Sequence, residues 1–288
     1  MVWTESGTIQ KAIIGWAVAA GWQHVAGADL PRDHHDALIE PWVRQAVARL
    51  NPELEQDTGS AELVFDELLA ATAAAADGLV AANERMTVML RGEHSFVTAD
   101  GKHVPRRLIE LTHARANKLV VADEVTIGPP GASRRFDIVF YVNGFPLVVV
   151  ETKNPIKQGA TWLTAAKDIH DVYEAEFPNF FAPNVFNVAT DGNELRVGAV
   201  GSQPNDQSWS LWGSTELSPT LTGPKRTEEA AKRLLTPESV LSMLETFTLF
   251  RHPASAADVM TKMVARYPQV EAVAAIDDKV RRGGKGGL

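Results

Sequence analysis

The chain has 288 residues, of which 45% are hydrophobic, so it is long enough to bury a real core in one large domain or two ordinary ones. It contains no cysteine, which excludes disulfides, thiolate metal sites and thiol nucleophiles. Its formal net charge of −8 opposes non-specific binding to nucleic acid, so any DNA contact requires basic residues that are gathered locally.

The first hundred residues are predicted to be mainly helical. Apolar residues recur at helical spacing over residues 8 to 20, with Ser6 or Thr8 available to cap the first turn. A second helix is expected after Pro41, because proline suits the first helical position, and a third over residues 61 to 76.

The sequence has no signal peptide and no apolar run of the roughly 20 residues that span a bilayer. We therefore expect a soluble cytoplasmic protein.

From Leu119 the pattern changes to short β-rich runs. The segments LVVADEVTI, FDIVFYV and LVVVETK are predicted strands, and GPPGAS is a predicted loop. Asn143-Gly144 between two apolar runs predicts a hairpin, since both residue types tolerate positive φ. A loop over residues 143 to 145 sets Asp137 opposite Glu151 on the neighbouring strand, although Pro146 leaves the exact register open.

The second half of the chain returns to alternating helices and strands. A helix is predicted over residues 162 to 177, with one apolar stripe formed by Trp162, Ala165, Ala166, Ile169, Val172 and Tyr173. Two further strands, VFNVAT and ELRVGAV, flank a turn at residues 191 to 193. Residues 201 to 227 are rich in Ser, Pro, Gly and Asn and predict a loop or boundary, with helix resuming at Glu228. The fold class is α/β, with a mixed sheet flanked by helices and an N-terminal helical region.

The predicted hairpin carries three residues that can form one reactive site. Side chains alternate along a strand, so Glu151 and Lys153 point the same way, and Asp137 joins them from the neighbouring strand. Two acids clustered at the end of an apolar hairpin need compensation, which Mg²⁺ provides through carboxylate oxygens and retained waters. The same spacing also fits a structural interpretation, in which Glu151 and Lys153 are an exposed pair where the hairpin leaves the sheet.

The stretch RRFDIVFYVNGFPLVVVETKNP as a whole resembles the nuclease signature of the restriction (R, HsdR) subunit of type I restriction-modification enzymes, within the wider PD-(D/E)xK nuclease group. The shared features are the first-strand acid, the Asn-Gly turn, Pro146, the apolar run, Glu151-x-Lys153 and Asn154-Pro155. Other segments are similar to that family in the same order: LIEPWVRQAVARLNP, NKLVVADEVTI, YEAEFPNFF and VATDGNELRVGAV. The resemblance covers nearly the whole chain.

The resemblance implies a restriction-endonuclease-like PD-(D/E)xK core over residues 1 to 225, followed at residues 226 to 288 by a linker and the start of a helicase-like translocase domain. It implies Mg²⁺-dependent cleavage of double-stranded DNA, with Asp137 and Glu151 as metal ligands. The implied catalytic residues are Asp137, Glu151, Lys153 and Tyr173. DNA contacts are expected from a local group of basic residues, with candidates Arg106, Arg107, Arg134, Arg135, Lys153 and Lys157.

The family also implies partners and a second cofactor. Its full-length members couple cleavage to ATP-driven translocation and act with methyltransferase (M) and specificity (S) subunits. The tail GGKGGL does not satisfy the P-loop pattern, so an ATP site is expected outside this chain, which we interpret as a piece of a longer protein.

Two positions depart from the family pattern. The helix after the ExK motif usually carries Q-x-x-x-Y, and here Tyr173 is present while Ile169 occupies the glutamine position, so one polar contact is predicted to be missing. Tyr173 then either orients the site and DNA or simply packs in the apolar stripe. The family also tends to have an acid in its first helix, where this chain has Gln10, with Glu5 as a weak substitute. These departures keep two alternatives open: a nuclease-inactive docking module between translocase and methyltransferase, or another PD-(D/E)xK nuclease acting in DNA repair.

Overall fold

A computed structural model describes residues 9–154, 159–213, 223–255 and 259–282 of the chain. Its centre is a seven-stranded sheet with helices packed on both faces, as the α/β prediction required. Ser6, Thr8, Glu5, Lys157 and the tail from residue 283 lie outside the described residues, so the predictions made for them stay untested. Within the described part of the chain, no helix is long and apolar enough to cross a membrane.

The N-terminal region is mainly helical, as predicted. Its helices are α1 (Ile9–Ala20), α2 (Glu40–Leu50), α3 (Thr58–Ala73) and α4 (Leu79–Leu90). Pro41 lies in the first turn of α2, where a proline costs no hydrogen bond. Helix α3 begins before the predicted residue 61 because the Asp57 side chain accepts a hydrogen bond from the Ser60 amide and caps it.

The central sheet combines parallel and antiparallel strand pairs. Its spatial order is β1-β4-β5-β6-β7-β8-β9, in which the β1–β4 and β6–β7 pairs are parallel and the other four pairs are antiparallel. The strands are β1 (Gln23–Ala26), β4 (Leu119–Ile127), β5 (Arg134–Val142), β6 (Phe145–Thr152), β7 (Phe186–Thr190), β8 (Leu195–Gly198) and β9 (Ser210–Leu211). A separate small hairpin joins β2 (Ser95–Val97) and β3 (His103–Pro105).

The sheet separates two apolar clusters. One face packs against α1, α3 and α4 through residues such as Ile138, Phe140 and Val150. The opposite face, which we call the α5 face, carries Val139 and Val149. It is covered by the helical segment that starts at α5 (Trp162–Lys167) and by the short helix α6 (Pro178–Phe181). Because β5 and β6 are buried on both sides, they are nearly continuous apolar runs, as central strands of such sheets are.

The C-terminal part adds helices and a second small hairpin. Helix α7 (Pro224–Leu234) begins at Pro224, four residues before the predicted Glu228, because proline opens its first turn. Helix α8 (Pro237–Glu245) follows, then the antiparallel pair β10 (Thr248–Arg251) and β11 (Thr261–Val264), and α9 (Tyr267–Arg281). Side chains of α7 pack in the same apolar cluster as α1 and one face of the central sheet. The Trp22 indole also donates to the Leu235 carbonyl at 2.8 Å.

Candidate active site

The β5–β6 hairpin brings the predicted acids together. Its turn consists of Asn143 (φ 52°) and Gly144 (φ 90°) alone, so the predicted three-residue loop is wrong: Phe145 already pairs with Val142. A β-bulge between Phe140 and Tyr141 then shifts the register. Beyond the bulge Ile138 pairs with Val150. Continuing this register by one residue on each strand places Asp137 beside Glu151, and strand alternation puts both on the α5 face.

The Asp137 carboxylate is fixed by the neighbouring strand. Its Oδ2 atom accepts hydrogen bonds from the Thr152 amide at 2.9 Å and from the Thr152 hydroxyl at 2.6 Å. The Gln10 side-chain amide donates to the Asp137 backbone carbonyl at 3.0 Å, which brings helix α1 to the site. Position 10 therefore contacts the backbone of a predicted site residue, with an amide where the family tends to have an acid.

Glu151 is the most buried of the predicted site residues, with 4% of its surface exposed. Its Oε1 atom accepts from the Lys153 amine at 2.7 Å, and its Oε2 atom accepts from the Tyr173 hydroxyl at 3.2 Å. Burial, followed by the nearby negative charge of Asp137, raises the pKa of Glu151 to about 7. The exposed-pair interpretation is therefore wrong for Glu151, because this carboxylate lies inside the protein.

The helix that covers the site is not the continuous α-helix that was predicted. After α5 the chain forms a π-helical turn, Asp168–Glu174, whose wider spacing rotates the following residues relative to an α-helix. The Asp168 carboxylate lies 2.5 Å from the Lys153 amine, while Ile169 is fully buried in the apolar cluster. Ile169 therefore makes no polar contact with the site, and the acid one residue earlier, Asp168, contacts Lys153 instead, which the sequence pattern did not reveal.

Tyr173 both packs and contacts the site. Its ring lies 4.4 Å from the ring of Phe136, centroid to centroid, and its hydroxyl donates to Glu151. Burial, with the charges of Glu151 and Asp137 adding to it, raises the pKa of Tyr173, so its hydroxyl stays protonated and acts as a donor. Tyr173 therefore packs in the apolar cluster and contacts the site at the same time.

Comparison with known families gives one match that covers most of the chain. The model of the family described as type I restriction enzyme R protein N terminus matches residues 3–206. The chain belongs to this family. A curated relative, the type I restriction enzyme HindI endonuclease subunit of Haemophilus influenzae, is 27% identical over 262 residues. That alignment covers 86% of this chain and 24% of the relative, so the chain spans about a quarter of the length of the curated relative it matches.

In this member of the R-protein family, the five candidate DNA-contacting residues that the structure describes are already paired with acids. Arg106 is buried against Glu53, and the Lys153 amine lies between two carboxylates. The other described candidates pair at the surface: Arg107 with Glu110 at 3.6 Å, Arg134 with Glu176 at 2.7 Å, and Arg135 with Glu124 at 3.5 Å. An excess of positive charge is therefore not found at these five positions.

Residues 9–154, 159–213, 223–255 and 259–282 contain no group of three or more His, Asp or Glu side chains placed to hold a metal ion. The site offers the Asp137 and Glu151 carboxylates as oxygen donors, with Gln10 touching the Asp137 backbone. Two protein carboxylates with waters completing the shell are within the range that Mg²⁺ accepts.

A buried polar network lies behind the site, next to Tyr173. The Glu174 carboxylate accepts from the Asn187 amide at 2.9 Å and from the Gly201 backbone amide at 2.9 Å. Asn184 donates to Asn187 at 3.0 Å, and the fully buried Lys262 amine of β11 donates to the Asn184 carbonyl at 2.5 Å. Burial raises the pKa of Glu174 to about 8, and burial holds the pKa of Lys262 well below its usual value. The network ties the C-terminal hairpin to the π-helical turn.

Proposed function

We propose that this chain is the nuclease part of a type I restriction enzyme R protein, with a PD-(D/E)xK core that hydrolyses phosphodiester bonds in double-stranded DNA. The observation that carries the proposal is the convergence of Asp137, Glu151 and Lys153 on one face of the β5–β6 hairpin, with the amine 2.7 Å from the Glu151 carboxylate. The Haemophilus relative is an endonuclease subunit by name, which supports the same class of reaction.

The donor chemistry of the site fits Mg²⁺. Asp137 and Glu151 are like-charged neighbours in a largely buried setting, and their mutual repulsion contributes to the raised pKa of Glu151. A divalent cation held by both carboxylates removes that repulsion. When bound, Mg²⁺ supplies a more acidic water and stabilises negative charge on a phosphate.

The chain's own residues have distinct tasks in this proposal. Thr152 fixes the orientation of Asp137 through two hydrogen bonds. Tyr173 holds one oxygen of Glu151, which leaves the other to Lys153. The Lys153 amine is a cationic donor with 22% of its side chain exposed, so it can contact a phosphate oxygen or orient the attacking water.

The activity of the whole protein extends beyond this chain. The proposed complete enzyme couples cleavage to ATP-driven DNA translocation, with the ATP site outside these 288 residues, and acts with methyltransferase (M) and specificity (S) subunits. Because the positive charge available at the described candidate positions is already paired, we propose that these partners and the translocase hold most of the DNA.

The proposal is tested by DNA cleavage with the full-length subunit assembled with its M and S partners, ATP and Mg²⁺. Glu151→Gln is expected to abolish cutting and to leave ATP hydrolysis intact. Glu176→Gln removes an acid that pairs with Arg134 at the surface, and it is expected to cut like the wild type. If neither the wild type nor the control cuts while ATP is hydrolysed, the chain is a docking module and the nuclease proposal is wrong.

A further inference from the structure

The Lys153 amine is held by two carboxylates from different elements. Glu151 is two residues away on the same hairpin, whereas Asp168 lies in the π-helical turn that covers the α5 face. The distances from the amine are 2.7 Å to Glu151 and 2.5 Å to Asp168. The chain thus provides one lysine with two alternative anionic partners.

The two partners differ in what else they can do. Glu151 is buried and faces Asp137. In the proposed function it binds the metal ion, and its negative charge then attracts Lys153 less strongly. Asp168 has 41% of its side chain exposed and forms an ion pair with Lys153. Asp168 is therefore the partner that remains for Lys153 when Glu151 is engaged.

The π-helical turn explains why Asp168 reaches the site. Hydrogen bonds in a π-helix join residues i and i+5, so Asp168 and Tyr173 are stacked on one side of the turn. An α-helical turn would stack residue 169 with Tyr173, and residue 169 is an isoleucine buried in the core. Tyr173 touches Glu151 and Asp168 touches Lys153, so one turn of helix supports both members of the ExK pair.

We propose that Asp168 is a positioning residue, which keeps the Lys153 amine at the reaction site when the Glu151 carboxylate is committed to a metal ion. The inference rests on the proposed function for the role of Lys153, although the contact itself can be tested without cleavage.

A first experiment uses the 288-residue chain with Mg²⁺ alone. The ¹H–¹⁵N signal of a lysine ammonium group is visible only when the amine is held and exchanges slowly, and Lys153→Arg assigns the signal. We expect the Lys153 signal to persist with Mg²⁺ in the wild type, to weaken in Asp168→Asn, which retains an acceptor, and to disappear in Asp168→Ala.

Asp171→Ala is the matched control, because it removes an acid from the same turn that pairs with His170 and not with Lys153. This variant is expected to keep the Lys153 signal. Thermal midpoints of Asp168→Ala and Asp171→Ala should match, since both side chains are largely exposed. A Lys153 signal that survives in Asp168→Ala, or that the wild type loses on adding Mg²⁺, would overturn the inference.

A second experiment measures cleavage by the assembled complex. Asp168→Ala is expected to lower the turnover rate by about tenfold or more, with the Mg²⁺ concentration for half-maximal activity unchanged, and Asp168→Asn should recover part of the loss. Equal rates in Asp168→Ala and the wild type, with Lys153→Ala inactive, would refute the positioning role and leave the proposed function standing. Loss of the NMR signal in Asp168→Ala without any cleavage by the wild type would refute the proposed function and leave the contact between Asp168 and Lys153 standing.

Discussion

Thr152 donates two hydrogen bonds to one oxygen of Asp137, from its backbone amide at 2.9 Å and from its hydroxyl at 2.6 Å. Thr152→Val keeps the shape and the amide bond but removes the hydroxyl donor. We expect the Mg²⁺ affinity of the chain to fall by about threefold to tenfold, because one oriented hydrogen bond to a charged group is lost. Calorimetric titration of Mg²⁺ measures this, and Thr126→Val on neighbouring β4 should bind like the wild type.

Lys153→Ala is expected to abolish cleavage by the assembled complex while the chain still folds. The amine lies at the end of β6 and has 22% of its side chain exposed, so its removal leaves no cavity in the core. Circular dichroism and the thermal midpoint check folding, and the DNA cleavage assay checks activity. Retained cutting by a folded Lys153→Ala variant would contradict the proposed role.

The stability of the metal-free chain should depend on the protonation of Glu151. Its folded pKa, about 7, is above the usual value of 4.5, so the folded chain binds more protons than the unfolded chain between these values. The contribution of Glu151 to the free energy of unfolding is therefore fully present below pH 4.5. It is lost as the pH rises towards 7, by at most about 3 kcal/mol. Urea unfolding in EDTA measures the trend, and Glu151→Gln should flatten it. An identical pH profile in that variant would show that Glu151 is not the titrating group.

Lys262 and Glu174 lie in one buried polar network, joined through Asn184 and Asn187, and removing one of them should cost more than removing both. Lys262→Met leaves the buried Asn184 backbone carbonyl without its donor and removes a cation near Glu174, for which we expect a loss of about 2 kcal/mol. The double variant with Glu174→Gln should recover part of that loss, and a double-mutant cycle in urea measures the coupling. Strict additivity of the two changes would mean that these groups do not interact.

Gly144→Ala should destabilise the chain by about 2 kcal/mol or more through the hairpin turn. A Cβ atom there would lie 2.7 Å from the Ile39 carbonyl oxygen, in addition to the strain of φ +90°. Gly92→Ala is the matched control, since Gly92 has φ +73° but open space around it. The difference between the two unfolding free energies isolates the steric contribution, and equal losses would assign the whole effect to φ.

The sequence was sufficient to predict the hairpin and its acids because the signals there are local. Asn143-Gly144 specifies the turn and strand alternation specifies the face, so Glu151 and Lys153 could be placed together with Asp137. The bulge at Phe140 and Tyr141 could not be predicted, but it compensates for the shorter turn, which is why the expected proximity survives a wrong loop length.

Other features depend on contacts distant in sequence. The apolar stripe from Trp162 to Tyr173 has the same composition in an α-helix and in a π-helical turn, so it could not reveal that Asp168 reaches the site. A lysine such as Lys262 is ordinarily exposed, and here the packing around β11 buries it, with the Asn184 backbone carbonyl as its acceptor. Strand β1 was missed because it is short, largely exposed and pairs only along β4.

The π-helical turn also has an evolutionary consequence. Each of its hydrogen-bonded rings encloses one more residue than an α-helical ring, so loss of a single residue within Asp168–Glu174 would restore α-helical spacing. If the lost residue lay between Asp168 and Tyr173, the two would be four residues apart and would still share a side of an α-helix. A one-residue insertion is thus enough to turn the i,i+4 spacing of an α-helix into the i,i+5 spacing found here, while the acid and Tyr173 stay on the side that faces Lys153 and Glu151. The hairpin that carries the ExK motif need not change.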